Sequence, residues 1–309
     1  MKLLYLVNRN TYQTKMSRVR FHGIDAVAKL VSVTYWGANW PGYDVMKTVQ
    51  DNLDTLNQTF DMAIIYKPLE LKGVKELTIP KCIRYNEMYD TEWTLQEIRE
   101  SGCQLVICHH NNDYERYQAM KIPNITFIYI GHCANSKIWK PMNLPIRYDI
   151  SIAGYLSDYY PLRKTFYQAL RILQTRYRCY VHPHPGYDLT DAHTDRYLRE
   201  MATVVNQSKI CVTCSSRFQY RLGKYIEIPM CGTSAICGDL PKDNADDYSY
   251  VIEVTNDMSL QEIVQTLSYY LENEDKRLEK VKKGIEFAKH YTQEQYAERL
   301  VKTIQNFLS

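Results

Sequence analysis

The stretch from Ser215 to Pro241, SSRFQYRLGKYIEIPMCGTSAICGDLP, holds the densest set of residues able to do chemistry. A short apolar run, Ile210 to Val212, leads into it, as a buried parallel strand does at its carboxyl end. Ser215 and Ser216 are N-cap types, and the spacing beyond them predicts a helix over about Phe218 to Ile228. Pro229 and Gly232 are expected to stop it, with Ser234 to Cys237 as the next strand. Arg217, Arg221, Lys224 and Glu227 then stand near the helix start and along its length. Free N–H groups at a helix N-terminus, beside arginine and lysine, make an anion site. A carboxylate at Glu227 can accept hydrogen bonds from paired ribose hydroxyls. The expected ligand is a nucleoside diphosphate; the competing reading is a capped helix with solvated cations.

Histidines and carboxylates after other apolar runs are candidates for proton transfer, since imidazole is a suitable base near neutral pH. His22 follows a polar loop, with Asp25 one turn on, and His109, His110 and Asp113 follow Leu105–Cys108 directly. We take His22, His109 and Asp113 as catalytic candidates; each is otherwise a group satisfied by local hydrogen bonds. His182 and His184, in HPHPG, end another apolar run and are candidates for contact with a nucleotide. Their spacing is near that of metal ligands, but no third ligand is evident, so no metal is expected.

These residues need elements to hold them. Strands are expected at Lys2–Val7, Val31–Tyr35, Met62–Tyr66, Cys82–Tyr85, Leu105–Cys108 and Ile125–Ile130. Helices are expected between them, one opened by Asp44 with Val45, Val49, Leu53 and Leu56 on its apolar face. Residues 132–147, with Pro141 and Pro145, read as an inter-domain linker. The alternation then restarts with Asp149–Ala153, a loop from Gly154, and a helix opened by Pro161 that carries Arg163. A last helix is expected over about Glu294–Phe307. Strands alternating with helices give an α/β chain with two mostly parallel, doubly wound sheets.

Composition agrees. The 309 residues allow two cores, and 45% hydrophobic with 24% charged residues is ordinary for a globular protein. A net charge of +3 excludes a strong general polyanion binder, although Lys2, Arg9, Lys15, Arg18 and Arg20 precede the first acid. No apolar run approaches the ~20 residues that span a bilayer, so a cytoplasmic protein is expected. Nine cysteines with a single CxxC, Cys211 to Cys214, read as reduced buried thiols. The glycines include no GxG and the chain has no P-loop, which removes the dinucleotide and Walker fingerprints.

The run KYIEIPMCGT, Lys224 to Thr233, resembles the donor-binding signature of GT-B glycosyltransferases with a group 1 type C-terminal domain, in the group that includes spore-maturation glycosyltransferase-like proteins. YDISIAGYLSDYYPLR, Tyr148 to Arg163, resembles the start of that domain, where a glycine loop and a YPxR turn follow the first strand. Tyr35-Trp36-Gly37 with Gly42-Tyr43-Asp44, FDMAIIYKP at 60–68 and LVICHHNND at 105–113 resemble the N-terminal domain.

The resemblance implies two Rossmann-like domains facing across a cleft. The first is an acceptor domain over residues 1–146, completed by 292–309; the second, over 147–291, binds the donor. It implies metal-independent transfer of a sugar from a nucleotide-diphosphate sugar, with no other cofactor, to a hydroxyl of a glycan or small molecule. Glu227 occupies the ribose-binding position, and Gly154, Arg163, His184, Ser215, Ser216, Arg221 and Lys224 complete the donor set. Relatives often carry a histidine base near the position of His22 or a histidine beside the donor sugar near that of His109, and the base stays open among His22, His109 and Asp113. Relatives carry a second glutamate eight residues before the first, where Gln219 stands here. That departure bears on the sugar-facing role. Other readings are a DNA-modifying glycosyltransferase acting on hydroxylated bases, with nucleic acid as partner, a sugar-nucleotide epimerase or phosphorylase, and a non-catalytic nucleotide-sugar-binding domain.

Overall fold

The computed structural model describes residues 1–13, 16–186, 194–243 and 246–309. Its strands are β1 (Lys2–Leu6), β2 (Ser32–Trp36), β3 (Met62–Ile65), β4 (Lys81–Tyr85), β5 (Leu105–Cys108) and β6 (Thr126–Tyr129), then β7 (Tyr148–Ala153), β8 (Cys179–His182), β9 (Ser208–Val212), β10 (Ala235–Gly238) and β11 (Ile252–Glu253). The helices are α1 (Arg9–Gln13), α2 (His22–Val27), α3 (Val49–Asp54), α4 (Thr91–Ser101), α5 (Asn111–Ala119) and α6 (Pro161–Leu173). They continue as α7 (Thr194–Asn206), α8 (Lys224–Met230), α9 (Leu260–Glu272), α10 (Glu274–Ala288) and α11 (Gln293–Leu308). Two compact units result: Met1–Gly131 with Glu294–Ser309, and residues 132–186 with 194–293.

The first unit holds a parallel sheet in the order β2-β1-β3-β4-β5-β6. The second holds a parallel sheet in the order β11-β10-β9-β7-β8. Helices cover strands on both faces, so the strands need near-continuous apolar runs. Met62–Ile65 and Leu105–Cys108 are buried residue after residue. Each sheet reverses its strand order once, between β1 and β3 and between β7 and β9. At such a reversal the neighbouring loops diverge and open a crevice beyond the carboxyl ends of the strands.

Two expectations are revised. The helix expected from Asp44 begins at Val49, because Thr48 forms a capping box with Asp51. Asn52 closes the turn before it, accepting from the Asp44 N–H at 2.7 Å and donating to the Asp44 carbonyl at 2.9 Å. Val45, expected on a buried face, is 60% exposed. Residues 132–147, expected as a linker, belong to the second unit. Ile138 and Trp139 are buried, and the Asn206 side chain accepts from the Met142 N–H and donates to the Lys140 carbonyl. Apolar side chains of that size are pulled into a core rather than left in a spacer.

All nine cysteines are free thiols, seven of them buried. Among the described residues no helix is long and apolar enough to cross a membrane.

Candidate functional site

The crevice between β7 and β9 is built from glycine outward. β7 ends at Ala153, and Gly154 follows with φ +135, where L side chains are strained. Pro161 starts α6 at a position whose N–H has no helical partner anyway. Arg163, in the first turn of α6, donates from Nη1 to the Tyr155 carbonyl at 3.1 Å and from Nη2 to Thr213 Oγ1 at 3.4 Å. Its guanidinium carbon lies 4.0 Å from the Tyr160 ring centre. Arg163 is 3% exposed, its Nε–H is buried without an acceptor, and these contacts are all to neutral groups. A buried guanidinium held only by neutral groups is an unmet demand for an anion.

Other basic side chains share its surroundings. His184 accepts the Gly186 N–H at Nδ1, 3.0 Å away, and its ring centre lies 5.1 Å from that of Tyr155. Burial pushes His184 down to about 4, and the charges of Lys224, Arg163 and His182 push the same way. His182, stacked on Tyr197 at 5.3 Å, is also pushed down, by burial first. Lys224, at the start of α8, pairs with Glu227 one turn on and lies 5.0 Å from the Trp139 ring centre. A Cβ on Gly223 would stand 3.2 Å from Glu227 Oε1, so a glycine lets that carboxylate sit against the backbone.

The loop before α8 departs from expectation. Residues 215–223 are not helical; α8 is confined to Lys224–Met230. Ser216 and Gln219 take left-handed φ values of +68 and +57, which no continuous right-handed helix contains. Asp239 fixes this course, accepting from the Ser215 N–H at 2.7 Å and, through its other oxygen, from the Ser215 hydroxyl. Ser215 and Ser216 therefore cap no helix. Ser216 Oγ instead accepts the Phe218 N–H at 3.3 Å, and Arg217 lies over the Tyr159 ring at 4.1 Å. Pro229, expected to stop the helix, lies inside it, one residue before its end.

Arg221, expected on the diphosphate, is 1% exposed. Its Nε lies 3.2 Å from Asp246 and 3.6 Å from Asp243, and its guanidinium sits 4.1 Å over Tyr291. Two carboxylates and a ring meet its charge, which makes Arg221 a strut of the second unit. The structure thus gathers Gly154, Arg163, His184, Lys224 and Glu227, places Ser215 and Ser216 on the adjoining loop, and withdraws Arg221.

In the first unit, His22 opens α2 and is buried. Asp25, one turn on, accepts from Tyr12 and pairs with Arg18. Arg18 also lies over Tyr12 at 4.6 Å and Arg9 over Trp40 at 5.6 Å, so these two cations of the basic loop are engaged locally. His109 leaves β5 and meets the Tyr296 hydroxyl of α11 at 3.0 Å through Nε2. Asp113 accepts from the Met88 N–H at 2.9 Å and from Arg116 at 2.7 Å. Both its oxygens are committed to holding the loop after β4, which is the work of an anchor rather than a base. Arg84, which the sequence reading passed over, stands beside His109 and Tyr296 at 3.5 Å and donates to the Arg20 carbonyl at 2.7 Å. Its signal was a charged residue inside the strand KCIRY.

Comparison with known proteins adds to this geometry. Residues 163–302 match the family model described as glycosyl transferase-like. A sucrose-phosphate synthase from Thermosynechococcus elongatus superposes over 99% of both chains, with a TM-score of 0.70 and 12% identity. HepE from Anabaena, solved in complex with UDP, superposes over 99% of this chain and 100% of its own, with a TM-score of 0.66 and 11% identity. The chain has the GT-B fold.

A further structure, the pneumococcal O-GlcNAc transferase GtfA with UDP and GlcNAc, matches 84% of this GT-B chain and 60% of its own at a TM-score of 0.56 and 15% identity. No curated protein sequence matches significantly. Arg163, His184, Lys224 and Glu227 of the crevice lie within the matched residues, and Gly154 precedes them. Arg163 and Lys224, with a protonatable His184, suit two adjacent phosphates, and the Glu227 carboxylate suits hydroxyl donors.

Proposed function

We propose that the chain is a glycosyltransferase that binds a nucleotide-diphosphate sugar in the β7–β9 crevice and transfers the sugar to a hydroxyl of a glycan or small molecule. The observation carrying this reading is Arg163, buried, held by neutral groups and sharing its surroundings with Lys224 and His184. The acceptor hydroxyl oxygen forms the new bond to the anomeric carbon. The bond from that carbon to the diphosphate breaks, the nucleoside diphosphate leaves with the electron pair, and the hydroxyl proton passes to a base. Arg163 and Lys224 stabilise the charge that develops on the leaving diphosphate, a role preorganised cations fill without a metal. Glu227 holds the ribose. UDP is the first nucleotide to test, because HepE and GtfA were solved with it.

Thermal-shift measurement against UDP, GDP, ADP and dTDP with EDTA present tests the reading. A ligand at 100 times its Kd adds ~2.7 kcal/mol of stability. The expected result is a rise in Tm with one nucleotide in the wild type and none in Arg163→Ala. No shift from any of the four would overturn it.

A further inference from the structure

Beside the β7–β9 crevice, three loops of the second unit are tied together through their backbones. The Arg217 N–H donates to the Tyr159 carbonyl at 2.9 Å, joining the loop before α8 to the loop after β7. The Lys242 N–H donates to the Gln219 carbonyl at 2.9 Å, joining the same loop to the segment after β10. Arg217 stands on this rim, and its setting differs from that of its neighbours in the fold. Arg163 and Arg221 are buried, whereas Arg217 is exposed. Its guanidinium carbon lies 4.1 Å from the Tyr159 ring centre and 4.8 Å from that of Phe218. Those two centres are 6.0 Å apart, with the rings tilted by 52°. The guanidinium therefore sits in the notch between two rings.

That setting changes what an exposed arginine can do. A solvated arginine gives up rotamer freedom when it grips a ligand, and ring contacts that already hold the guanidinium reduce that loss. Its N–H donors lie in the guanidinium plane as a fork that matches a carboxylate or a phosphate, and stacking engages the faces rather than the fork. The charge around it is positive. Lys242 is exposed, and Lys164 stands in the first turn of α6. Asp158, the acid of this rim, is paired with Lys164, and Lys164 first and Arg217 after it hold its carboxyl below the usual range. Tyr159 is 44% exposed, so part of its ring stays open to the C–H side of a pyranose.

We propose that this rim binds an anionic group, a carboxylate or a phosphate, carried by a sugar, with Arg217 as the fork, Lys242 as a second cation and Tyr159 as the ring contact. That this sugar is the acceptor rests on the glycosyltransferase reading, and it narrows the acceptor to an acidic or phosphorylated glycan. The binding itself does not rest on that reading.

The test is an NMR titration of the full chain with D-glucuronate, D-glucose 6-phosphate, D-glucose and inorganic phosphate, each with and without UDP. The Arg217 Nε–H resonance, assigned with Arg217→Gln, reports on the fork, and neighbouring amide resonances give Kd in the variants. At least one acidic sugar is expected to move the Nε–H resonance, with a Kd at least about tenfold below that of glucose and weakened by salt. Arg217→Lys keeps the charge and loses the fork, and should weaken that binding about tenfold, the scale of one charge-assisted hydrogen bond. Arg217 is exposed, so both variants are expected to fold. The Tm shift with UDP is expected to be unchanged in Arg217→Gln. No binding by either acidic sugar, equal binding in both variants and the wild type, or inorganic phosphate bound as tightly as glucose 6-phosphate would overturn the subsite. Displacement of the acidic sugar by UDP, or loss of the UDP shift in Arg217→Gln, would overturn it too and give Arg217 to the donor diphosphate. Acidic-sugar binding without any UDP shift in the wild type would support the rim site and sink the donor reading alone.

Discussion

The guanidinium of Arg163 occupies the space that a side chain on Gly154 would need. A Cβ at Gly154 would stand 2.7 Å from Nη1 and 3.0 Å from the guanidinium carbon. The arginine cannot swing aside, because Tyr155 and Thr213 hold its two terminal nitrogens. Glycine is thus required twice over, by its φ of +135 and by this approach. Gly154→Ala is expected to destabilise the protein by about 1–3 kcal/mol in urea unfolding, the scale of a strained backbone residue. It should also abolish the UDP-dependent rise in Tm. An alanine variant of wild-type stability and affinity would mean that the loop relaxes freely.

Glu227 is buried and already paired with Lys224. If it also receives ribose hydroxyls, Glu227→Ala should weaken UDP binding by about 1–3 kcal/mol, the cost of lost charge-assisted hydrogen bonds. Calorimetry separates this from a folding effect: UDP should lose affinity while inorganic pyrophosphate, which has no ribose, loses little. Equal losses for the two ligands would assign Glu227 to holding Lys224 instead.

How far this architecture was legible in the sequence depended on how local its causes are. Leu105–Cys108 has the bounds its unbroken apolar run predicts, and the helix expected to open at Pro161 does begin there. Residues 218–223, expected as the start of a helix, form a loop because the course of the chain there is set by Asp239, from the end of a different strand. Arg221 was misplaced for the same kind of reason: serine caps and cationic spacing are visible along the chain, whereas its pairing with Asp243 and Asp246 exists only after folding. Arg84 meets Tyr296 across 212 residues of sequence, and no spacing rule reaches that far.

Arg221 yields a prediction opposite in kind to those for the crevice. Removing one partner of a buried ion pair leaves uncompensated charge, at a cost of about 3–5 kcal/mol. Arg221→Ala should therefore lower the urea midpoint strongly, and at a temperature where the variant is folded its UDP affinity should equal that of the wild type. A folded variant that has lost UDP would return Arg221 to the donor site.

His184 gives the crevice a pH dependence whose sign follows from its neighbours. Its folded value is about 4 against an ordinary 6.5, depressed by burial and then by Lys224, Arg163 and His182. Between those two values the unfolded chain binds the proton and the folded chain does not, so His184 lowers stability as pH falls from 6.5 towards 4. A bound diphosphate offsets the charges of Lys224 and Arg163 and should raise the His184 value back towards 6.5. Binding then takes up a proton near pH 5, so the contribution of His184 to UDP affinity grows as pH falls through that window. Imidazole chemical shifts, followed by NMR with and without UDP and assigned with His184→Gln, read both values directly. A free-protein midpoint at 6.5, or one that UDP leaves in place, would show that Lys224 and Arg163 do not act on this ring and that no phosphate reaches it.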